Sequence, residues 1–365
     1  MRTAQLSGVI INYPNALCFC ASPMIISFSG SNLISTKLSI MEWQEGDEGA
    51  VSLPTLNREH YIDERDAFCG KVTHDISDII SQLFREEDLI QLDYSTKVNP
   101  DNLSKKITIQ GSITTNGGVY SFRFTTIAVW GALDPDEEYS SNRYLTIFPA
   151  YPYTLTIASN DNSYCDIQAD SFHVATDHSV KAGINTYNVH AFVKEWPVNE
   201  LVLSFPFTQK VKNDELTTVC RSFRFMIDNR SDGIYLRWIN RHGEWCYWLF
   251  KKGGSQIAAS TNTTFERSDT ADMAYKDGVT TRGTQRRNKN LKEIVTLCAP
   301  LCTSDEFDYL EDIMCSPVVD LFSGTIENPL WKRINVVDGS ATRSTKKLQD
   351  FMLNIELPTK NIQCL

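Results

Sequence analysis

The residues whose types and spacing best suit chemistry lie between Gly233 and Gly254, GIYLRWINRHGEWCYWLFKKGG. Two apolar runs meet at Asn240-Arg241-His242-Gly243, which reads as the turn of a β-hairpin. Trp238, Trp245, Tyr247 and Trp248 crowd that turn, with Arg237 and Arg241 beside them. Aromatic rings interleaved with guanidinium groups suit a sugar or a partner protein. They equally suit a hairpin stabilised by aromatic cross-strand pairs and buried as core. Alternation alone does not assign Trp238 and Trp248 to a face. These six residues are the candidate interaction residues. His242 and Cys246 place a base near a thiol, but no third group to orient the base is evident, so no catalytic residue is assigned.

Other constellations are weaker. Asp134, Asp136 and Glu138 alternate like the first ligands of a calcium loop, but Tyr139 stands where glycine is needed and Leu145 where glutamate is needed. Cys298, Cys302 and Cys315 are not followed by any histidine, and the chain has no CxxC pair, so a zinc site lacks its usual spacing. His60, His74, His173, His178 and His190 form no spaced ligand set. No P-loop, dinucleotide glycine fingerprint, G-x-S-x-G or H-E-x-x-H occurs. No metal or cofactor is therefore expected. A carboxylate pair for glycoside hydrolysis has no sequence spacing and stays open.

The elements that must position these residues are mostly strands. Val9–Asn12 and Met24–Phe28 read as uncharged strands. Ile107–Ile113 and Val119–Val129 flank Asn116-Gly117-Gly118, a hairpin turn; Tyr120, Phe122 and Phe124 share one face, Arg123 and Thr125 the other. Leu201–Phe207 and Val219–Asp228 keep the same period of two. Two helices are predicted. Asp75 opens the first as N-cap, ahead of Ile76, Ile79, Ile80 and Leu83. Thr303 and Glu306 form a capping box for the second, which runs to Met314 and stops at Ser316-Pro317. The predicted class is mainly β: tandem antiparallel β-sandwich-like domains with a small C-terminal α+β module. The expected layout is an N-terminal β domain over 1–160, a second β domain with the Trp-rich hairpin over 161–255, a polar arm or linker over 256–290, and an α+β module over 291–365.

Composition narrows the class further. The 365 residues, 42% of them hydrophobic, are enough for several cores and too ordered in pattern for a disordered chain. A net charge of −10 disfavours general nucleic-acid binding, which needs a positive field. Residues 3–36 carry no charge, but Asn12, Pro14 and Asn15 interrupt the apolar run, so neither a membrane span nor a secretory signal is expected there. The ten scattered cysteines read as small buried hydrophobes in a reducing cytoplasm, and the sequons at Asn102, Asn229 and Asn262 carry little weight without a signal. Glu42–Glu48, Asp134–Glu138 and Asp305–Asp312 are acidic, whereas Arg282–Lys292 and Trp331–Lys347 are basic. Opposite patches on one chain suit head-to-tail assembly.

The LRWIN strand, His-Gly turn and WCYWLF strand resemble a segment in structural proteins of tailed phages and prophages of gut Bacteroidetes. The order of Ser22-Pro23-Met24-Ile25, the Asp75–Phe84 helix and the Leu291–Pro317 module is also similar. The resemblance implies a virion structural protein of the tail tip, baseplate or adaptor region, assembled in the host cytoplasm. It implies self-association as a homo-oligomer, docking of other virion proteins, and no enzyme activity. The alternative reading is a carbohydrate-binding or receptor-recognition module that takes a host surface glycan, and behind it a polysaccharide hydrolase.

Overall fold

The computed structural model describes residues 1–42, 59–85, 92–94, 96, 98–99, 103–132, 144–159, 163–169, 172–180, 183–193, 196–197, 199–210, 216–266, 284–337, 343 and 346–357. The chain divides into two compact units, Met1–Arg230 with Ile239–Cys246, and Ser231–Trp238 with Tyr247–Leu365.

The first unit opens with β1 (Arg2–Leu6), β2 (Val9–Tyr13), β3 (Leu17–Phe19), β4 (Ile25–Ser29), β5 (Leu33–Glu42), β6 (Glu59–Asp66), β7 (Lys71–Asp75) and the short helix α1 (Ser77–Ser81). It continues with β8 (Val98–Asn99), β9 (Ser104–Thr115), β10 (Gly118–Val129), β11 (Tyr144–Ile147), β12 (Thr154–Ser159), β13 (Ser163–Ala169), β14 (Phe172–Val180), β15 (Gly183–Asn188), α2 (Val189–Phe192), β16 (Glu200–Lys210) and β17 (Leu216–Ile227). Sheet β1-β2-β4-β7 and sheet β3-β10-β9-β5-β6 share one core. Val9, Ile11, Ile26 and Phe28 come from the first sheet, and Leu38, Ile40, Ile107, Ile109, Ile113 and Phe122 from the second. Their alternation is what buries them: side chains two apart share a face, so one face of each strand can be apolar throughout. Tyr120 and Phe124 pack against that core beside Phe122, while Arg123 and Thr125 are exposed. Asn116-Gly117 alone makes the turn, with Thr115 opposite Gly118. A second pair of sheets, β11-β17-β16-β13-β14 and β12-β15-β8, follows in the same unit. Tyr153, just ahead of β12, meets Phe225 of β17 edge-on at 5.8 Å. Among the described strand pairs, β3 with β10 and β11 with β17 are parallel.

The second unit is built on β18 (Ile234–Ile239), β19 (Trp245–Glu266), β20 (Thr284–Cys302), α3 (Ser304–Glu311), β21 (Val319–Phe322), β22 (Trp331–Arg333), β23 (Asn335–Val336) and β24 (Gln349–Glu356). They form one sheet in the order β22-β21-β18-β19-β20-β24-β23. The capping box is present: Thr303 Oγ1 accepts from the Glu306 amide, and Glu306 accepts from the Thr303 amide at 2.8 Å. Phe307 and Leu310 are buried, and Phe307 meets Phe351 of β24 edge-on at 5.3 Å. A single 3-10 turn, Asp312–Met314, finishes that helix.

The mainly β, sandwich-like class with a helix in its C-terminal part is therefore as read from periodicity. Several details differ. The N-cap of α1 is Ile76; Asp75 instead accepts from the Ser77 amide at 3.0 Å, one residue later than expected. The divisions at 160, 255 and 290 do not separate units. β12 pairs with β15 across 160, and β19 and β20 run unbroken through 255 and 290, so cuts there would sever ladders. The segment read as a polar arm or linker is in its described part a β-ribbon, with Gln256–Glu266 paired antiparallel to Thr284–Ile294. Asp134, Asp136, Glu138 and most of the Glu42–Glu48 patch lie outside the described residues.

Candidate functional site

The predicted site residues are held by the β18–β19 hairpin, whose turn belongs to the first unit and whose remaining residues belong to the second. Asn240 organises the turn. Its Oδ1 accepts from the amides of His242 and Glu244 at 3.0 and 2.9 Å, and its Nδ2 donates to Glu244 Oε2 at 3.1 Å. This is the local chemistry that makes asparagine a turn residue. Gly243 has φ +74°, and a Cβ there would come within 2.5 Å of Val129 Cγ1 and 2.8 Å of the Trp130 carbonyl. The Trp245 amide donates to Thr156 Oγ1 at 3.3 Å, so this end of the hairpin is tied down by backbone as well as by packing. His242 and Cys246 are both buried in the same unit, and His242 lies edge-on to Phe19 at 6.4 Å.

In the second unit successive side chains of the hairpin face opposite ways, and both faces are covered. On one face Tyr235 and Tyr247 lie 6.0 Å apart, and Trp331 and Phe322 close over them. On the other, Trp238 and Trp248 both meet Tyr309 of α3, at 5.4 and 6.3 Å. The Tyr309 hydroxyl accepts from the Tyr247 amide at 2.8 Å and donates to its carbonyl at 3.3 Å. Arg237 runs in a row across three adjacent strands. Its Nε donates to Asp320 Oδ2 at 2.9 Å, and Arg333 Nε donates to Asp320 Oδ1 at 2.7 Å. The Arg237 guanidinium sits 4.3 Å from the Trp331 ring centre. Pairing on both sides lets this charge stay buried.

Of the six candidate interaction residues, Arg237, Trp238, Trp245, Tyr247 and Trp248 are buried, and Arg241 alone is exposed. The cluster is core rather than a ligand platform, because a ring enclosed on both faces has no surface to offer. What sequence could not show is that α3, over 50 residues downstream, supplies the cover.

A different constellation has the order of a nucleophile, a base and its orienting acid. His74 Nε2 lies 2.8 Å from Thr36 Oγ1, and His74 Nδ1 lies 2.9 Å from Asp63 Oδ2. Asp63 also accepts from Arg65 Nε at 2.6 Å, and Arg65 donates to the Thr73 carbonyl at 2.7 Å. Thr36 and His74 are each only 1% exposed, and Phe28 lies edge-on to the imidazole, so no substrate carbonyl can reach the hydroxyl. Burial pulls the His74 pKa below its ordinary value, against the raising effect of Asp63. The neutral ring therefore serves as a hydrogen-bonded link between β7 of one sheet and β5 and β6 of the other. Thr36, Asp63 and His74 lie too far apart in sequence for any spacing rule to have joined them.

Cys18, Cys20, Cys69, Cys246, Cys298, Cys302 and Cys315 are free. Cys20, Cys246 and Cys302 are buried as expected, and burial pushes the Cys18 thiol up to about 11 and that of Cys302 to about 12. Cys69 and Cys315 are instead exposed, Cys69 in a turn at φ +52°. Among the described residues no group of histidines, cysteines and carboxylates could hold a metal ion, and no helix is long and apolar enough to cross a membrane.

The longest described strands are β19, with 22 residues, and β20, with 19, which pair as a ribbon. Its ladder runs from Lys251 opposite Cys298 to Glu266 opposite Thr284. β24 braces β20 only from Ile294 to Cys302. Beyond that point, over Ala258–Glu266 and Thr284–Leu291, no described strand pairs with either outer edge. Residues 251–257 are exposed, Ile257 among them. An open edge is a template for further strand pairing.

No protein-family model matches the chain, and no curated protein does. Among solved structures it is similar to a Ca2+-stabilized adhesin with which an Antarctic bacterium reaches out and binds ice. That match has 9% identity and a TM-score of 0.17 over 90% of this chain and 73% of the other.

Proposed function

We propose that this chain is a structural protein of a phage virion, in the tail tip, baseplate or adaptor region. It works by self-association and by docking neighbouring virion proteins, after assembly in the host cytoplasm, and performs no catalysis. The observation that carries the reading is the β19–β20 ribbon, whose outer half has two open edges among the described strands. A two-stranded ribbon is marginal in water by itself and gains stability when a third strand joins it. Assembly proteins use such elements because the main chain supplies the hydrogen bonds wherever an edge is offered. The hairpin resemblance to phage structural proteins agrees with it.

Mass photometry and sedimentation of the full chain from nanomolar to high micromolar concentration test the reading. Discrete oligomers or growing assemblies are expected. A monomer at every concentration, together with no virion partner in pull-downs from an induced lysogen, would overturn it. Release of fragments from host polysaccharide would move the chain to the hydrolases.

A further inference from the structure

We infer that the basic outer strand of the ribbon and the acidic edge strand β6 are the two halves of one contact between copies of this chain. The inference rests on the self-association reading above and names its interface.

Two open edges carry opposite charge. The outer stretch of β20, Thr284–Leu291, contains Arg286, Arg287 and Lys289 and no carboxylate. β6 stands at the end of its sheet with β5 as its one strand neighbour, and its sequence EHYIDERD holds Glu59, Asp63, Glu64 and Asp66 against Arg65. Asp63 is engaged by His74 and Arg65, while Glu64 and Asp66 are exposed. No other edge strand of the described sheets holds more than one carboxylate: β7 has Asp75 and β14 has Asp177, and β1, β3, β8, β11, β12, β22 and β23 have none. β6 is thus the edge that the ribbon's charge selects.

The distribution of charge over the units points the same way. The first unit holds 29 carboxylates and 19 lysines and arginines, a net of −10; the second holds 16 of each, a net of zero. The whole charge of the chain therefore belongs to the unit that carries β6. A cationic strand on a neutral unit is steered toward it, and steering acts before any contact forms.

Charge also chooses the symmetry. Pairing two ribbons by their β20 edges would set Arg286, Arg287 and Lys289 beside the same residues of the other copy. Pairing two β6 strands would set carboxylates beside carboxylates. Like-charge juxtaposition disfavours both isologous contacts and leaves the heterologous one, in which each copy gives a ribbon and receives another. Main-chain hydrogen bonds then supply affinity, and the side-chain charges supply the choice of edge.

The test is a charge swap in the full chain. Arg286→Glu/Arg287→Glu/Lys289→Glu makes one variant, and Glu64→Lys/Asp66→Lys makes the other. Each alone is expected to self-associate about a hundredfold more weakly than wild type. An equimolar mixture is expected to recover association, because the reversed ribbon of one fits the reversed β6 of the other. Lys251→Glu/Lys252→Glu, exposed at the base of the ribbon, is expected to leave association unchanged. Zero-length cross-linking of mixed light and heavy-isotope wild type should join Lys289 of one copy to Glu64 or Asp66 of another. Circular dichroism confirms folding of each variant. If wild type assembles but either swap assembles equally well, or the mixture stays apart, the interface is elsewhere and self-association stands. If wild type is a monomer throughout, the self-association reading fails as well. If the ribbon variant instead loses binding to duplex DNA that wild type binds, the ribbon is a nucleic-acid surface and the inference is overturned.

Discussion

The two units solve the problem of buried polarity differently. The first fills its N-terminal sandwich mainly with aliphatic side chains, beside Phe28, Phe84 and Phe122, and holds the His74 ring neutral between Thr36 and Asp63. The second is built around aromatic rings and buries an ionic row, Arg237–Asp320–Arg333. A neutral hydrogen-bonded link costs little to desolvate but is exposed to titration. An ionic row costs much to desolvate and fails badly when one member is lost. The same contrast holds outside: the first unit carries ten net negative charges, and the second balances its own.

Breaking the second unit should give the largest effects. Trp238 is fully enclosed, and Trp238→Ala should cost about 3–5 kcal/mol, read as a lowered unfolding midpoint with hydrogen exchange accelerated first in β18, β19 and α3. Asp320→Ala should also cost about 3–5 kcal/mol, since it strands the Arg237 charge in the core. The double variant Arg237→Met/Asp320→Leu sharpens the point. It should recover most of that loss, and a double variant as unstable as Asp320→Ala would mean the row matters for shape rather than charge.

A backbone test comes next, on the first unit. Gly243→Val sets a Cβ against Val129 and the Trp130 carbonyl at φ +74°, and should cost about 1–3 kcal/mol in chemical denaturation. The pH test separates the units more cleanly. Burial depresses the folded pKa of His74, so the unfolded chain takes up the proton first as pH falls. The contribution of the neutral ring is fully present above its ordinary value of 6.5 and is lost as pH falls below it toward the folded pKa. His190, half-buried against Tyr151 and Trp196, shifts the same way. Exchange protection in β4–β7 should therefore weaken from pH 6.5 downward, and His74→Gln should flatten that slope. The smallest effect is expected at a cap. Thr303→Ala should cost about 1 kcal/mol, confined to α3.

Local rules carried much of the fold. Period-two alternation marked β9, β10, β16 and β17, uncharged runs marked β2 and β4, Asn116-Gly117 marked a turn, and Thr303 with Glu306 marked a helix start. Each depends on residues a few positions apart, where backbone geometry alone sets the relation. The same rules misread residues 256–266 and 284–290, because their Ser, Thr, Asn and Arg carry no apolar alternation to mark a strand.

The candidate residues were legible in place but not in burial. Sequence located the Trp238–Trp248 hairpin and its turn, since both are local. It could not say that Tyr309 and Trp331 enclose the two faces, because burial depends on what the rest of the chain brings to them. Nor could it join Thr36, Asp63 and His74, or Arg237 to Asp320, whose separations of 38, 11 and 83 residues follow from sheet packing and strand order alone. Residue types and charges were thus settled by sequence. Which of them became core, link or open edge was decided by the tertiary fold, because only the assembled sheets determine what water can still reach.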